Sequence, residues 1–317
     1  MSIAQEIQDI TNLETQESIV AFMGPTGSGK SNLIDHLTKG ETSWSGNSLS
    51  SVTSEVRAIR VKHPHMDQNI VLVDTPGFDD THRSDADILR MIGDWLERTY
   101  RKNVKLSGIV YLHRITDNRM AGSPHRHLKM FGALCGTDAA KRVTLVSTMW
   151  DKAKTETEEA RVAMREEELK DKFWSPMLKH GAHVKRFDNT TETAWEIISS
   201  IIDQDGLRQR LLFQEEIVDL DRALEETEAA KAVYSQYQAL LLQHKANLEQ
   251  LQRASKTTSS ANRKMLDAAE NQKQEMQGEV KRISEQAKTL GVPLGKRMKA
   301  MFSLRKAKAG AIQISSS

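Results

Sequence analysis

The sequence predicts an α/β fold, a mostly parallel sheet with helices on both faces followed by a long helical extension. Short apolar runs alternate with helical patterns of about ten or more residues from Ser18 to Ile202, which is the signature of strands buried on both faces and joined by crossover helices. Trp44, Trp95, Trp150, Trp174 and Trp195 all precede Gly206, beyond which large aromatics and Pro are scarce. The residues able to build a packed core therefore lie in the N-terminal two thirds.

In order, residues 1–17 are expected to form a helix that packs on the domain. Strands are expected at Ser18–Met23, Glu55–Val61, Ile70–Val73, Gly108–His113, Val143–Ser147 and His183–Phe187. Helices are expected at Lys30–Thr38, Asp85–Tyr100, Pro124–Leu134, Glu158–Phe173 and Thr193–Ile202. These elements make one domain over residues 18–205. Residues 206–290 read as helical, with near-apolar steps of three and four at Tyr237, Leu241, His244, Leu248 and Leu251. The steps recur at Met276, Val280, Ile283, Ala287 and Leu290, so the Ser/Thr-rich stretch 255–260 would turn a hairpin or coiled coil.

The 317 residues carry 45 Lys and Arg against 43 Asp and Glu, a net charge of +2. The tail 291–317 holds six basic residues and no acid, so the rest of the chain is acidic and unsuited to nucleic acid. That tail suits an anionic membrane surface, or is simply solvated. The single cysteine, Cys135, excludes an internal disulfide and fits a reducing compartment. No run approaches the roughly 18 apolar residues of a membrane span, and the expectation is a cytoplasmic protein.

The chemistry begins at Gly24–Ser31, GPTGSGKS, which fits G-x-x-x-x-G-K-[ST] between an expected strand and an expected helix. Gly24, Gly27 and Gly29 allow a backbone that curls its N–H groups around phosphate oxygens; Pro25, Thr26, Ser28 and Asn32 complete the phosphate-side set. Lys30 is placed for the β- and γ-phosphates and Ser31 for Mg2+, at a helix N-terminus that favours anions. The strand IVLVD then ends on Asp74, suited to hold Mg2+ through water, and Gly77 can offer its N–H to the γ-phosphate. A third Mg2+-side group is expected from the hydroxyl-rich loop before Glu55; Thr53 is best placed, with Thr42, Ser50 and Ser51 as rivals.

The base is decided further on. A carboxylate after the strand at Val143–Ser147 can accept both N1–H and the 2-amino group of guanine, donors that adenine lacks. LVSTMWDK offers Asp151 there, with Thr148 three residues before it. Met149 stands where the common [NT]-K-x-D motif has Lys, and its flexible apolar side chain can replace the Lys stem along the base. Trp150 either stacks on the base or packs. Asp188 and Asn189, in RFDNT, are the remaining base-side candidates.

GPTGSGKS, SVT at 51–53, VDTPGFDD at 73–80 and the stretch 112–136 resemble the septin-like GTPases, a group that includes the immunity-associated and chloroplast import-receptor GTPases. TMWDK and RFDNT look like the fungal G-domain proteins of this group, and the resemblance covers residues 18–202. It implies a P-loop GTPase fold, GTP or GDP with Mg2+, Thr53 as the switch threonine and Asn189 as a base contact. It also implies homodimers paired through the nucleotide face, which makes Arg57, His82 and Arg83 candidates for trans contributions, beside solvated-loop readings of each. Phe78 occupies the position where a water-orienting Gln follows the loop glycine, so slow turnover is expected. A nucleotide switch whose C-terminal helices engage a protein partner, an ATPase of the same fold and a non-hydrolysing scaffold remain open. The pairs His63/His65 and His125/His127 have no third ligand at metal spacing.

Overall fold

The computed structural model describes residues 4–7, 17–41, 55–66, 68–78, 83–104, 106–117, 120, 123–202 and 211–257, together with 278, 281 and 285. Seven strands are formed among them: β1 (Ala4–Ile7), β2 (Ser18–Met23), β3 (Arg57–Lys62), β4 (Asn69–Asp74), β5 (Gly108–Arg114), β6 (Val143–Thr148) and β7 (His183–Arg186). They make one sheet in the order β1-β3-β4-β2-β5-β6-β7. The β1/β3 and β3/β4 pairs are antiparallel and the others parallel. The mostly parallel sheet is as predicted.

Alternation along the strands loads both faces. Ile19, Ala21 and Met23 of β2, with Ile109 and Tyr111 of β5, enter one apolar layer; Val20, Phe22, Val110 and Leu112 enter the other. The second layer is closed by α1 (Lys30–Leu37) and α6 (Thr191–Ile202), whose Leu33, Ile34, Ile197 and Ile198 are buried. The first is closed by α2 (Asp85–Arg101) and α3 (Ser123–Ala139, broken at Gly136), with α4 (Glu156–Glu168) and α5 (Ser175–Lys179) beyond. Burying each Leu, Ile or Phe contributes about 1.5–3 kcal/mol, which is why helix-forming segments with one apolar face settle here. Helix α2 starts sharply because Ser84 and Asp87 cap one another, the Ser84 hydroxyl accepting from Asp87 N–H at 3.2 Å.

Two expectations are corrected. Within residues 1–17, Ala4–Ile7 is not helical: it is an edge strand on β3, with Arg57 paired to Glu6 at 2.8 Å. Its four residues are too few for the amphipathic period to act, and the open edge of β3 offers backbone partners instead. Nor is 206–290 continuously helical. Residues 211–227 form α7 (Leu212–Gln214), a wide turn and a single tight turn, and the long helix α8 begins only at Glu228, running to Thr257. The break is held by buried Glu216, whose carboxylate pairs with Arg222 and accepts the Glu228 N–H at 3.0 Å, capping α8.

Phe213 of α7 packs so closely on α2 that a Cβ at Gly93 would lie 2.6 Å from its ring. Helix α8 folds back on the domain for its first turns, burying Ala229, Ala230, Val233 and Tyr237, while Gln236 donates to the Arg126 carbonyl of α3 at 3.0 Å. Leu242 is already exposed. The second helix of the expected hairpin lies outside the described residues apart from 278, 281 and 285, which are helical. Among the described residues no helix is long and apolar enough to cross a membrane.

Candidate nucleotide site

The C-terminal ends of β2, β4, β5, β6 and β7 converge on one rim, the side on which open α/β sheets bind ligands. The loop 24–29 turns off β2 there with Gly24, Gly27 and Gly29 all at positive φ. At Gly24 the requirement is double: φ is 140°, and a Cβ would collide with the Leu112 carbonyl. Gly29 ends the loop as the N-cap of α1 without a side-chain cap, so the first-turn N–H groups of that helix face the loop cradle.

Lys30 is buried and its Nζ donates to the carbonyls of Gly24 and Pro25, both at 3.0 Å. Burial pushes its pKa down to about 8, Asp74 opposing and nearby Arg114 adding to the effect. Ser31 donates its hydroxyl to Asp74 Oδ2 at 2.7 Å, bringing the two predicted Mg2+-side residues together. The hydroxyls of Thr26 and Ser28 are buried with no hydrogen-bond partner. A cradle that admits no Cβ at Gly24, orphan hydroxyls and a buried amine opposite a Ser–Asp pair fit a polyphosphate with Mg2+, an ion that takes few protein ligands beside phosphate and water. Among the described residues no group of three His, Cys, Asp or Glu could hold a metal, and His63 is spent closing the β3–β4 turn.

Gly77 lies against Thr26, where a Cβ would come within 2.6 Å of the Thr26 backbone nitrogen. Phe78 locks the same junction: its N–H donates to Gly24 O at 3.3 Å and its carbonyl accepts Thr26 N–H at 2.7 Å. Its ring is fully buried, stacked on His127 at 5.5 Å, and His127 in turn reaches Asp85 at 3.2 Å. Thr53, Thr42, Ser50, Ser51 and His82 lie outside the described residues. Arg57 is engaged by Glu6, and Arg83 turns toward Met91 Sδ at 2.8 Å.

On the base side, Thr148 donates to Ser28 O at 2.9 Å and so joins β6 to the phosphate loop. Met149 is left-handed, φ 66°, and opens the single turn Trp150–Lys152 that carries Asp151. Trp150 packs against the core: its indole donates to Ser147, and the Arg186 guanidinium lies 4.1 Å over its ring. After β7, Asp188 and Asn189 are exposed. Asn189, also left-handed, accepts from Asn32 at 2.6 Å with His36 Nε2 at 3.3 Å from the same oxygen. With its oxygen engaged, the amide NH2 is left to face an acceptor such as guanine O6.

Two residues escaped the sequence reading. Arg114, at the end of β5, lies over the phosphate loop, its Nη1 3.3 Å from where a Gly27 Cβ would stand, and pairs with Asp117 at 3.0 Å. A cation at a strand's C-terminal end was the available signal. Glu166 of α4, buried and distant in sequence, gave none. Burial raises its pKa, yet hydrogen bonds from Arg186, Ser147 and Lys170 outweigh that and hold it below the usual carboxylate range.

Fold and phosphate loop together define a domain with the P-loop GTPase fold. In agreement, a family model described as 50S ribosome-binding GTPase matches residues 19–149, and no curated protein matches in sequence. Similar solved structures include Toc33 from Arabidopsis thaliana with GDP and Mg2+, at 16% identity and TM-score 0.47 over 62% of this chain and 87% of that one. Toc33 with Mg2+ and GMPPNP gives 16% identity and TM-score 0.45, over 62% and 87%. The G domain of the T. maritima FeoB iron transporter gives 18% and 0.35, over 60% and 98%.

Proposed function

We propose that this protein is a cytoplasmic guanine-nucleotide switch that hydrolyses GTP slowly and pairs G domains across the nucleotide face. The observation that carries the guanine reading is the placement of Asp151 and Asn189 on the rim that holds Lys30, Ser31 and Asp74. An acceptor of N1–H and the 2-amino group and a donor toward O6 together match guanine and mismatch adenine. Mg2+, when bound, would neutralise charge developing on the β- and γ-phosphates; Ser31, Asp74 and Thr53 are the residues to hold it.

Slow turnover follows from Phe78, whose buried ring cannot orient water. The link to the rest of the chain is also local. The Tyr237 hydroxyl of α8 lies beside Ser84 and Ala86 at the start of α2, close after the γ-phosphate loop in sequence. A loop that responds to the γ-phosphate can thereby shift α8, which would engage a protein partner, with the basic tail meeting an anionic membrane. The same burial of Phe78 favours a second reading, a scaffold that keeps GTP; an ATPase of this fold is the third.

Phosphate release from GTP and ATP, followed over a wide range of protein concentration, tests these readings. GTP-selective release that rises more than linearly with concentration is expected. Background rates at every concentration would support the scaffold, and ATP selectivity the third reading. Phe78→Gln is expected to destabilise the fold by about 3–5 kcal/mol in denaturant titration, because it leaves a cavity and an unpartnered amide in the core. It should not accelerate release.

A further inference from the structure

Two short loops present the base-side residues, and neither is rigid by its own backbone. The turn 149–152 starts from a left-handed Met149, has no side-chain cap and closes through Lys152 N–H to Met149 O at 3.2 Å and Ala153 N–H to Trp150 O at 3.1 Å. A non-glycine residue in that conformation costs about 1 kcal/mol, so neighbouring contacts must hold it there.

Those contacts lead to one carboxylate. The Trp150 indole donates to Ser147 O at 3.2 Å and Ser147 Oγ at 3.1 Å, and Ser147 donates in turn to Glu166 Oε1 at 2.8 Å. Arg186 grips both Glu166 oxygens through Nε at 3.0 Å, with Nη2 also bonded to Oε2, while its guanidinium covers Trp150. Lys170 adds a bond to Oε2 at 3.1 Å. Arg186 is the last residue of β7, and Phe187 to Asn189 follow directly. Glu166 is 1% exposed and Arg186 48%. Burying such a pair seldom stabilises more than apolar residues of the same size would; what a bidentate pair adds is fixed geometry.

We propose that Glu166, acting through Ser147 and Arg186, is a positioning residue for base selection: it fixes the Trp150 turn that carries Asp151 and ties it to the loop that carries Asn189. The proposal rests on the guanine reading above. It also explains how the turn tolerates Met149, since the order a Lys stem would impose on the base side is supplied from behind by the Trp150–Arg186 stack.

The test is the affinity of the full chain for GDP and for inosine diphosphate, which lacks only the 2-amino group, in wild type, Glu166→Gln and Arg186→Gln. Wild type is expected to favour GDP by about 10- to 100-fold, the worth of one hydrogen bond to a charged acceptor. In both variants the ratio should fall toward unity, mainly through lost GDP affinity, because Asp151 no longer meets the 2-amino group. Arg186→Lys, which keeps charge but loses the fork and stack, should fall between. Should Glu166→Gln fail to fold, the half-exposed Arg186 variants carry the test. Equal losses for both nucleotides, or no loss, would overturn the proposal while leaving guanine recognition intact. A wild type that prefers neither GDP over inosine diphosphate nor GDP over ADP would sink both.

Discussion

Lys30→Met will leave a folded protein whose affinity for GTP has fallen by orders of magnitude, and whose affinity for GDP has fallen by less. The ammonium is placed for charge-assisted bonds to the β- and γ-phosphates, each contributing about 1.5–3 kcal/mol, so its removal should weaken GTP binding by about 10²–10⁴-fold and GDP binding, which has only the β-phosphate contact to lose, by about 10–10²-fold. The stability side runs the other way. Burial lowers the Lys30 pKa from 10.5 to about 8, so between those values the unfolded chain holds a proton that the folded chain lacks. Stability therefore rises with pH across that window, and below about pH 8 the full cost of the buried cation is present. Met removes that cost, on the order of 1–3 kcal/mol, against the loss of two hydrogen bonds to Gly24 and Pro25. At pH 7 the variant should melt at or above wild type, and its stability should no longer climb between pH 8 and 10.5.

The same shift predicts proton uptake. Phosphates facing Nζ favour its charged form, so nucleotide binding near pH 9 should draw a proton from the buffer. Titration calorimetry in two buffers of different ionisation enthalpy measures it. An equal apparent enthalpy in both buffers, or a Lys30→Met protein that binds GDP normally, would contradict the phosphate role of this residue.

Where local chemistry decides structure, the sequence was readable. The loop at Gly24–Ser31 needs glycines because a Cβ at Gly24 would strike Leu112 and because Gly27 and Gly29 take positive φ, and strands β2, β4, β5 and β6 announce themselves as apolar runs buried on both faces. Where a distant partner decides, it was not. Ala4–Ile7 becomes a strand because β3 offers a free edge, which no local pattern encodes. The break before α8 depends on Glu216 meeting Arg222 and Glu228. Glu166 reads as one acid among many on an exposed-looking helix, and only the fold places it behind Ser147 and Arg186. Trp150 was legible as a residue that packs or stacks, but the cation over its ring comes from β7 and was not.

Asp151→Asn should exchange the base that the protein prefers. The carboxylate can accept two hydrogen bonds, from guanine N1–H and the 2-amino group, each contributing about 1.5–3 kcal/mol for a charged acceptor. An amide keeps the acceptor for N1–H but presents NH2 to another NH2, so GDP affinity should fall by about 10²–10³-fold. Xanthine carries a carbonyl where guanine has the amino group, and that carbonyl accepts the amide's NH2. Xanthosine diphosphate should thus gain what GDP loses, while ADP, which never used the carboxylate, should hardly change. The exchange demands that the turn hold its place, and here the Ser147 and Arg186 contacts matter more than the side chain at 149. If Asn at 151 leaves GDP affinity intact, the carboxylate is only the cap of a short turn and guanine selection must lie elsewhere. If affinity for GDP and xanthosine diphosphate falls together, the turn has moved, and the double variant with Arg186→Gln should then add nothing further.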